Sequence, residues 1–262
     1  MANPGPSQPC DLAGLGVLVT RAQHQAQGLC RQIREHEGRS ISFPAIEIGG
    51  PADPAATGAL LERINQYHTL LFISPNAVAW ALKLLGDKGL PEGVQIGAVG
   101  RATAQALARA GCPVDIVPEE QFDSEALLAT EALSDVEGRN VLIFRGRGGR
   151  ALLGDSLSAR GAKVDYAEVY QRICPDADTT ELLLRWDDVG VVTATSNAIL
   201  DNLLSLFDVS GRSRLLATPL VVVSERMRGH ARDLGFRQVL LSAGAEDHNI
   251  LAAICDWFQQ QA

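Results

Sequence analysis

Six short stretches of this chain carry the residue types that hold anions. Each comes where an apolar run ends and a helical pattern begins. Thr20 and Arg21 close the first; Ser74, Pro75 and Asn76 close another; Gly100 to Thr103 a third. Arg145, Gly146 and the residues to Arg150 follow, then Thr193 to Asn197 with Thr195 and Ser196 inside, then Ser224 to Arg226. Small hydroxyls, glycines and helix starts suit carboxylate or phosphate oxygens, because unpaired N–H groups and the helix dipole point there. Ser, Thr and Asn are also ordinary N-caps, so one such joint alone says little. Their repetition along the chain points to a polar, anion-friendly site for a small ligand.

Other chemistries find less support. The run Arg145-Gly146-Arg147-Gly148-Gly149-Arg150 fits neither nucleotide-binding glycine pattern, and no acidic ribose partner follows at the required distance. Three arginines suit carboxylates better, through their planar fork; an exposed basic turn is the alternative for Arg147 and Arg150. There is no G-x-S-x-G, no cysteine with a local partner and no obvious carboxylate pair. The histidines at 24, 36, 68, 230 and 248 form no zinc pattern. No metal and no cofactor is expected.

The elements that must position these joints alternate. Short Val-, Ile- and Leu-rich runs predict strands at 16–20, 41–48, 69–73, 95–99, 114–117, 140–144, 163–170, 189–194, 220–223 and 237–241. Helical patterns lie at 22–37, 54–66, 76–86, 101–110, 124–134, 149–160, 178–185, 197–206, 225–234 and 247–260. Alternating strand and helix predicts parallel sheets flanked by helices, with ligands beyond the carboxyl ends of strands.

The chain is also written twice. Val17-Leu18-Val19-Thr20-Arg21 returns as Val141-Leu142-Ile143-Phe144-Arg145, and Ser74-Pro75-Asn76-Ala77 as Thr195-Ser196-Asn197-Ala198. Gly97-Ala98-Val99-Gly100 returns as Val221-Val222-Val223-Ser224, and Asp123-Ser124 as Asp247-His248. The offsets are 121 to 124 residues, too long for a solenoid repeat. The expectation is an α/β fold of two similar lobes facing each other with the ligand between them.

Length and composition agree. The chain has 262 residues, 46% hydrophobic and 21% charged, with a formal charge of −8. That balance argues against nucleic acid as a partner, and no apolar run is long enough to span a membrane. Residues 1–11 read as a loose polar tail, not a signal peptide. The five scattered cysteines, without CxxC, predict reduced thiols in a cytoplasm.

At its joints the chain resembles the uroporphyrinogen-III synthases. The likeness is carried by Val17 to Arg21, Phe72 to Val78, Ala98 to Ala104, Val141 to Gly146, Glu168-Val169-Tyr170-Gln171-Arg172 and Thr195 to Ala198. It runs from about residue 12 to 258, in family order. The resemblance implies that the lobes exchange their first βα unit. Residues 1–41 with 175–262 would form one lobe and 48–171 the other. The extended stretches 42–47 and 172–174 would form a two-stranded linker.

The reaction implied by the resemblance is closure of hydroxymethylbilane to uroporphyrinogen III, with ring D inverted and water lost, in haem and sirohaem biosynthesis. No cofactor takes part. Tyr170 matches the family tyrosine beside the leaving hydroxyl; its structural alternative is an aromatic anchor. Thr20, Arg21, Ser74, Asn76, Gly100, Thr103, Arg145, Gly146, Thr195, Ser196, Asn197 and Ser224 are the implied substrate contacts. Ser224-Glu225-Arg226 departs from the Gly-x-x-Thr pattern of Gly100 to Thr103, which weakens the case for Ser224. The family resemblance further suggests a monomer in the cytoplasm, touching hydroxymethylbilane synthase transiently if it touches any protein. Two rivals are a non-enzymatic two-lobed anion-binding protein and a nucleotide-using transferase.

Overall fold

The computed structural model describes residues 10–119, 123–149 and 151–261. In chain order the elements begin with β1 (Gly16–Val19), α1 (Gln23–Glu35) and β2 (Arg39–Ser42). Next come β3 (Glu47–Gly49), α2 (Pro54–Glu62), β4 (Thr69–Phe72), α3 (Pro75–Leu85), β5 (Gln95–Ala98) and α4 (Arg101–Arg109). Then follow α5 (Ser124–Leu128), β6 (Asn140–Gly146), α6 (Leu152–Ala159), β7 (Lys163–Ile173) and α7 (Thr180–Leu184). The last are β8 (Val191–Thr193), α8 (Asn197–Leu206), α9 (Val209–Ala217), β9 (Leu220–Val222), α10 (Glu225–Asp233), β10 (Val239–Leu241) and α11 (Asp247–Gln259).

The chain divides into two compact units. Unit 1 takes the residues up to Glu47 and from Ile173 onward; unit 2 takes Ile48–Arg172. The sheet of unit 1 has the order β10-β9-β8-β1-β2, and that of unit 2 the order β3-β7-β6-β4-β5. The ladders among β1, β2, β8, β9 and β10 are parallel, as are those among β4, β5, β6 and β7. The two orders are the same arrangement: β2-β1-β8-β9 corresponds to β7-β6-β4-β5. The sequence repeat is thus a repeat of topology, with β1 laid against β8 through Val17↔Val191 and Val19↔Thr193.

Period-2 alternation explains why helices cover both faces of each sheet. In unit 1, Leu18, Val192 and Val222 face Leu200, Leu203 and Met227 with Trp186 and Phe207. Val17, Val19, Val191 and Val221 face Leu29, Ile33, Ile250 and Ile254 of α1 and α11. In unit 2, Leu70, Phe72, Leu142 and Phe144 face α3 and α4. Leu71, Val141 and Ile143 face Leu127, Leu153 and Leu157. Phe72 and Phe144 stack with centroids 4.5 Å apart and are fully buried. Truncating either to alanine would cost about 3–5 kcal/mol.

Five expectations need correction. The strand expected over 41–48 is interrupted between Ser42 and Glu47. Pro44 offers no N–H to a ladder, and Phe43, Ala45 and Ile46 turn into the interior. The stretch 114–117 is only an isolated bridge, Gly97↔Ile116, because the Asp115 carboxylate takes the Ile96 N–H. The helix α9 was not anticipated; Asp208 caps it by accepting from Gly211 N at 2.7 Å. Cys10 and Cys255 are not reduced thiols but a disulfide, whose Cα atoms lie 5.9 Å apart. Packing of the segment before β1 and of α11 on one core brings them together. Cys30, Cys112 and Cys174 are free. The tail expected at 1–11 is not loose at its end, since Cys10 is buried and disulfide-bonded; residues 1–9 and Arg150 lie outside the described residues. Among those described, no helix is long and apolar enough to cross a membrane.

Candidate functional site

Four of the six joints singled out by their chemistry supply helix N-caps, two in each unit; at the other two the caps are Ala22 and Ala151. Ser74 caps α3 with Pro75 at the first helical position, its Oγ accepting from Ala77 N at 3.1 Å. Ser196 does the same for α8 with Ile199 N, and Ser224 for α10 with Met227 N, both at 3.3 Å. Gly100 caps α4 without a side chain; its carbonyl accepts from Thr103 N and Ala104 N at 3.0 and 2.9 Å. A cap hydroxyl satisfies only the third N–H of its helix. The first two have no intrahelical acceptor and carry the positive end of the dipole. Those donors belong to Asn76 on α3, where Pro75 has none, to Ala102 on α4, to Asn197 and Ala198 on α8, and to Glu225 and Arg226 on α10.

In unit 2 the candidate residues converge. Tyr170 is 2% exposed, and its hydroxyl lies 3.1 Å from Ser74 Oγ. Gly146 lies across the ladder from Tyr170. The Tyr170 carbonyl accepts from Arg147 N at 2.9 Å, which fixes the backbone there while the Arg147 side chain is exposed. Arg145 sits largely buried. It contacts the Glu168 carboxylate at 3.1 Å, and its guanidinium lies 4.4 Å from the centre of the Tyr166 ring. A cavity of about 230 Å³ opens beside it at the ends of β4, β5 and β6, lined by Ile73, Val99, Asp123, Ser124 and Arg145. Asn76 is half-buried, while Thr103 is 3% exposed and turned inward.

In unit 1 several candidates are engaged within the fold. Thr20 is fully buried and donates its hydroxyl proton to the Thr193 carbonyl. Thr193 answers by donating to the Leu18 carbonyl at 3.1 Å, so the pair stitches β1 to β8. Arg21 is ion-paired with Asp247 and donates to the Ala245 carbonyl at 2.9 Å. Thr195 and Asn197 are half-buried at the start of α8. The side-chain oxygen of Asn197 is buried without a partner. Among the described residues no group of three or more His, Cys, Asp or Glu could share a metal ion.

Reasoning from sequence missed the partners rather than the joints. Glu168 sits opposite Arg145 in the β6–β7 ladder and would follow from the register, had the register been known. Asp247 is the repeat counterpart of Asp123, yet it pairs with Arg21, whereas Asp123 caps α5 by accepting from Ala126 N at 2.8 Å. Only the repeat alignment hinted that Asp247 was special.

Comparison with known proteins identifies the family. The family model described as uroporphyrinogen-III synthase HemD matches residues 27–252. The uroporphyrinogen-III synthase of Escherichia coli K12 is 34% identical over 245 residues, covering 92% of this chain and 100% of that one. That of Salmonella typhimurium LT2 is similar to the same extent. Among solved structures, uroporphyrinogen-III synthetase from Helicobacter pylori 26695 has a TM-score of 0.60 at 14% identity. It covers 93% of this chain and 99% of that one. A mutant uroporphyrinogen III synthase from Thermus thermophilus has 0.54 at 15% identity, covering 95% and 100%. At such identity these two speak for the shared fold; the family model and the sequence relatives go further, and by them the chain belongs to the uroporphyrinogen-III synthase family.

Proposed function

We propose that the chain is a cyclising hydro-lyase that closes hydroxymethylbilane to uroporphyrinogen III, inverting ring D and releasing water, for haem and sirohaem biosynthesis. The observation that carries this reading is the Tyr170 hydroxyl, 3.1 Å from the cap hydroxyl of Ser74 at the end of β4. Loss of the substrate's hydroxymethyl oxygen leaves an azafulvene cation. The phenol can donate a hydrogen bond to that departing oxygen without bearing charge itself. Ser74 supports the step: its oxygen already accepts from Ala77 N, so its proton can go to the Tyr170 oxygen. The tyrosine proton is then left for the leaving group.

Each pyrrole carries an acetate and a propionate, and the capped helix starts suit these carboxylates. Each such contact contributes about 1 kcal/mol or less, so binding is spread over many weak donors. Asn76, Gly100, Thr195, Ser196, Asn197 and Ser224 belong to this set; Thr103, buried and with its N–H on the Gly100 carbonyl, supports the joint instead. Thr20, Arg21 and Arg145 then act mainly by fixing the joints, since each is already bonded within its own unit. The same proposal takes 42–47 and 172–174 as linker and the protein as a cytoplasmic monomer that uses no cofactor. It includes a transient contact with hydroxymethylbilane synthase.

Rate measurement on Tyr170→Phe tests the reading. The protein should speed the disappearance of fresh hydroxymethylbilane. The variant, which keeps the ring and its packing, should slow turnover by at most roughly 10²–10⁴-fold. Turnover equal to the parent's would assign Tyr170 to structure.

A further inference from the structure

The direction in which Tyr170 points is not the one its strand would give it. Along β7, Tyr166 packs with Leu153 and Leu157 on one face of the sheet, whereas Ala167 and Val169 belong to the core on the other. Strict alternation would send Tyr170 to the Tyr166 face. Yet Tyr170 is buried with Ala167 and Val169, in the core that holds Phe72, Phe144, Ala77 and Val78. The cause is a slip in the ladder. Arg145 pairs with Glu168, but Gly146 pairs with Tyr170, so Val169 is skipped. One extra residue on one strand shifts the later residues to the opposite face and re-aims a side chain. Here it turns the phenol toward the start of α3, where Ser74 meets it.

The slip requires room on β6, and Gly146 supplies it. A Cβ at 146 would stand 2.5 Å from Tyr170 Cζ, 2.6 Å from Cε2 and 2.9 Å from the hydroxyl oxygen. Those are far inside van der Waals contact, and the ring cannot swing away freely because it is buried. The backbone is also fixed, since the Tyr170 carbonyl accepts from Arg147 N. An alanine would therefore displace the ring by about 1 Å and separate its hydroxyl from Ser74.

We infer that Gly146 is a positioning residue of the reaction: its missing side chain, with the register slip beside it, seats the Tyr170 hydroxyl on Ser74. This assigns Gly146 a role apart from contact with substrate. It rests on the proposed part of Tyr170 in departure of the hydroxyl.

The test combines kinetics with a direct view of the ring. The chain has three tyrosines, so protein labelled with ¹³C at tyrosine Cζ gives three resonances, and Tyr170→Phe identifies one. Gly146→Ala should move the Tyr170 resonance and lower kcat by about 10²-fold, the usual cost of a 1 Å misplacement. KM should change little. In the Tyr170→Phe background the same change should cost nothing further, because there is no hydroxyl left to misplace. An equal fall in both backgrounds, or an unmoved resonance, would overturn the inference. Parental turnover of Tyr170→Phe alone would instead refute the proposed use of Tyr170, and the resonance would still decide whether Gly146 seats the ring. Should Gly146→Ala not fold, Ser74→Ala and Ser74→Thr carry the test. The alanine should lose kcat, the threonine should recover it through its hydroxyl, and the two should be alike in the Tyr170→Phe background. Failure of that pattern would equally overturn the inference.

Discussion

Removal of the Arg21 guanidinium separates the two roles this residue could have. Its side chain is 11% exposed and that of Asp247 25%. The pair therefore lies between an exposed bridge, worth about 0.2–1 kcal/mol, and a buried one, where losing a partner costs about 3–5 kcal/mol. Arg21 also donates to the Ala245 carbonyl at 2.9 Å, a charged hydrogen bond worth about 1.5–3 kcal/mol. Together these contacts hold the loop before α11 and the start of that helix against the end of β1. We expect Arg21→Ala to destabilise unit 1 by about 2–3 kcal/mol, or about 5–10 °C in Tm for a chain of this size. Asp247→Asn should cost less, because the carbonyl contact survives. Arg21→Lys should fall between, since it keeps the charge and loses the fork. Thermal denaturation of the three variants and the Arg21→Ala/Asp247→Asn double variant gives the coupling, expected at about 1–2 kcal/mol. An Arg21→Ala protein that melts with the parent but has lost turnover would refute this reasoning. It would show a guanidinium that serves substrate and not the fold.

Two further outcomes are expected. Titration of thiols in unfolded protein, kept from reductant, should count three, those of Cys30, Cys112 and Cys174. The Cys10–Cys255 link closes nearly the whole chain, so its reduction should lower stability by roughly 2–4 kcal/mol; five thiols would contradict the link. Arg185 first, then Arg39, hold the Asp188 carboxyl below its usual range. A depressed carboxyl adds stability above its unfolded value of about 3.9 and loses it as pH falls through the folded value. The gap in urea midpoint between parent and Asp188→Asn should thus be present at pH 7 and shrink toward pH 3; a gap unchanged with pH would contradict it.

The fold was legible where local pattern and global packing agree. Apolar runs such as Val17 to Val19 and Val141 to Phe144 became central strands, and the doubled order of joints became a doubled sheet topology. Legibility failed where one residue outweighs a pattern. Pro44 interrupts an apolar alternation that otherwise reads as one long strand. The helix α9 has few apolar positions in Val209–Ala217 to mark a face, and its capping Asp208 looks like loop chemistry. The site was half legible. Ser74, Ser196 and Ser224 stand at strand–helix joints that sequence can mark. Their side-chain partners are set by tertiary contact: Thr20 meets Thr193, and Arg21 meets Asp247, across most of the chain. The Tyr170–Ser74 contact depends on a one-residue slip that no periodicity announces. The disulfide was hidden for the same reason, since its cysteines share no local spacing.

The central claim is that this chain turns hydroxymethylbilane into the inverted isomer, and one measurement meets it directly. Purified protein is mixed with freshly prepared hydroxymethylbilane, the products are oxidised to porphyrins, and the type I and type III isomers are separated. Without catalysis the linear substrate closes to type I. The account predicts type III as the dominant product, in amounts that follow the protein added. Type I alone, at the rate seen in buffer, would contradict it.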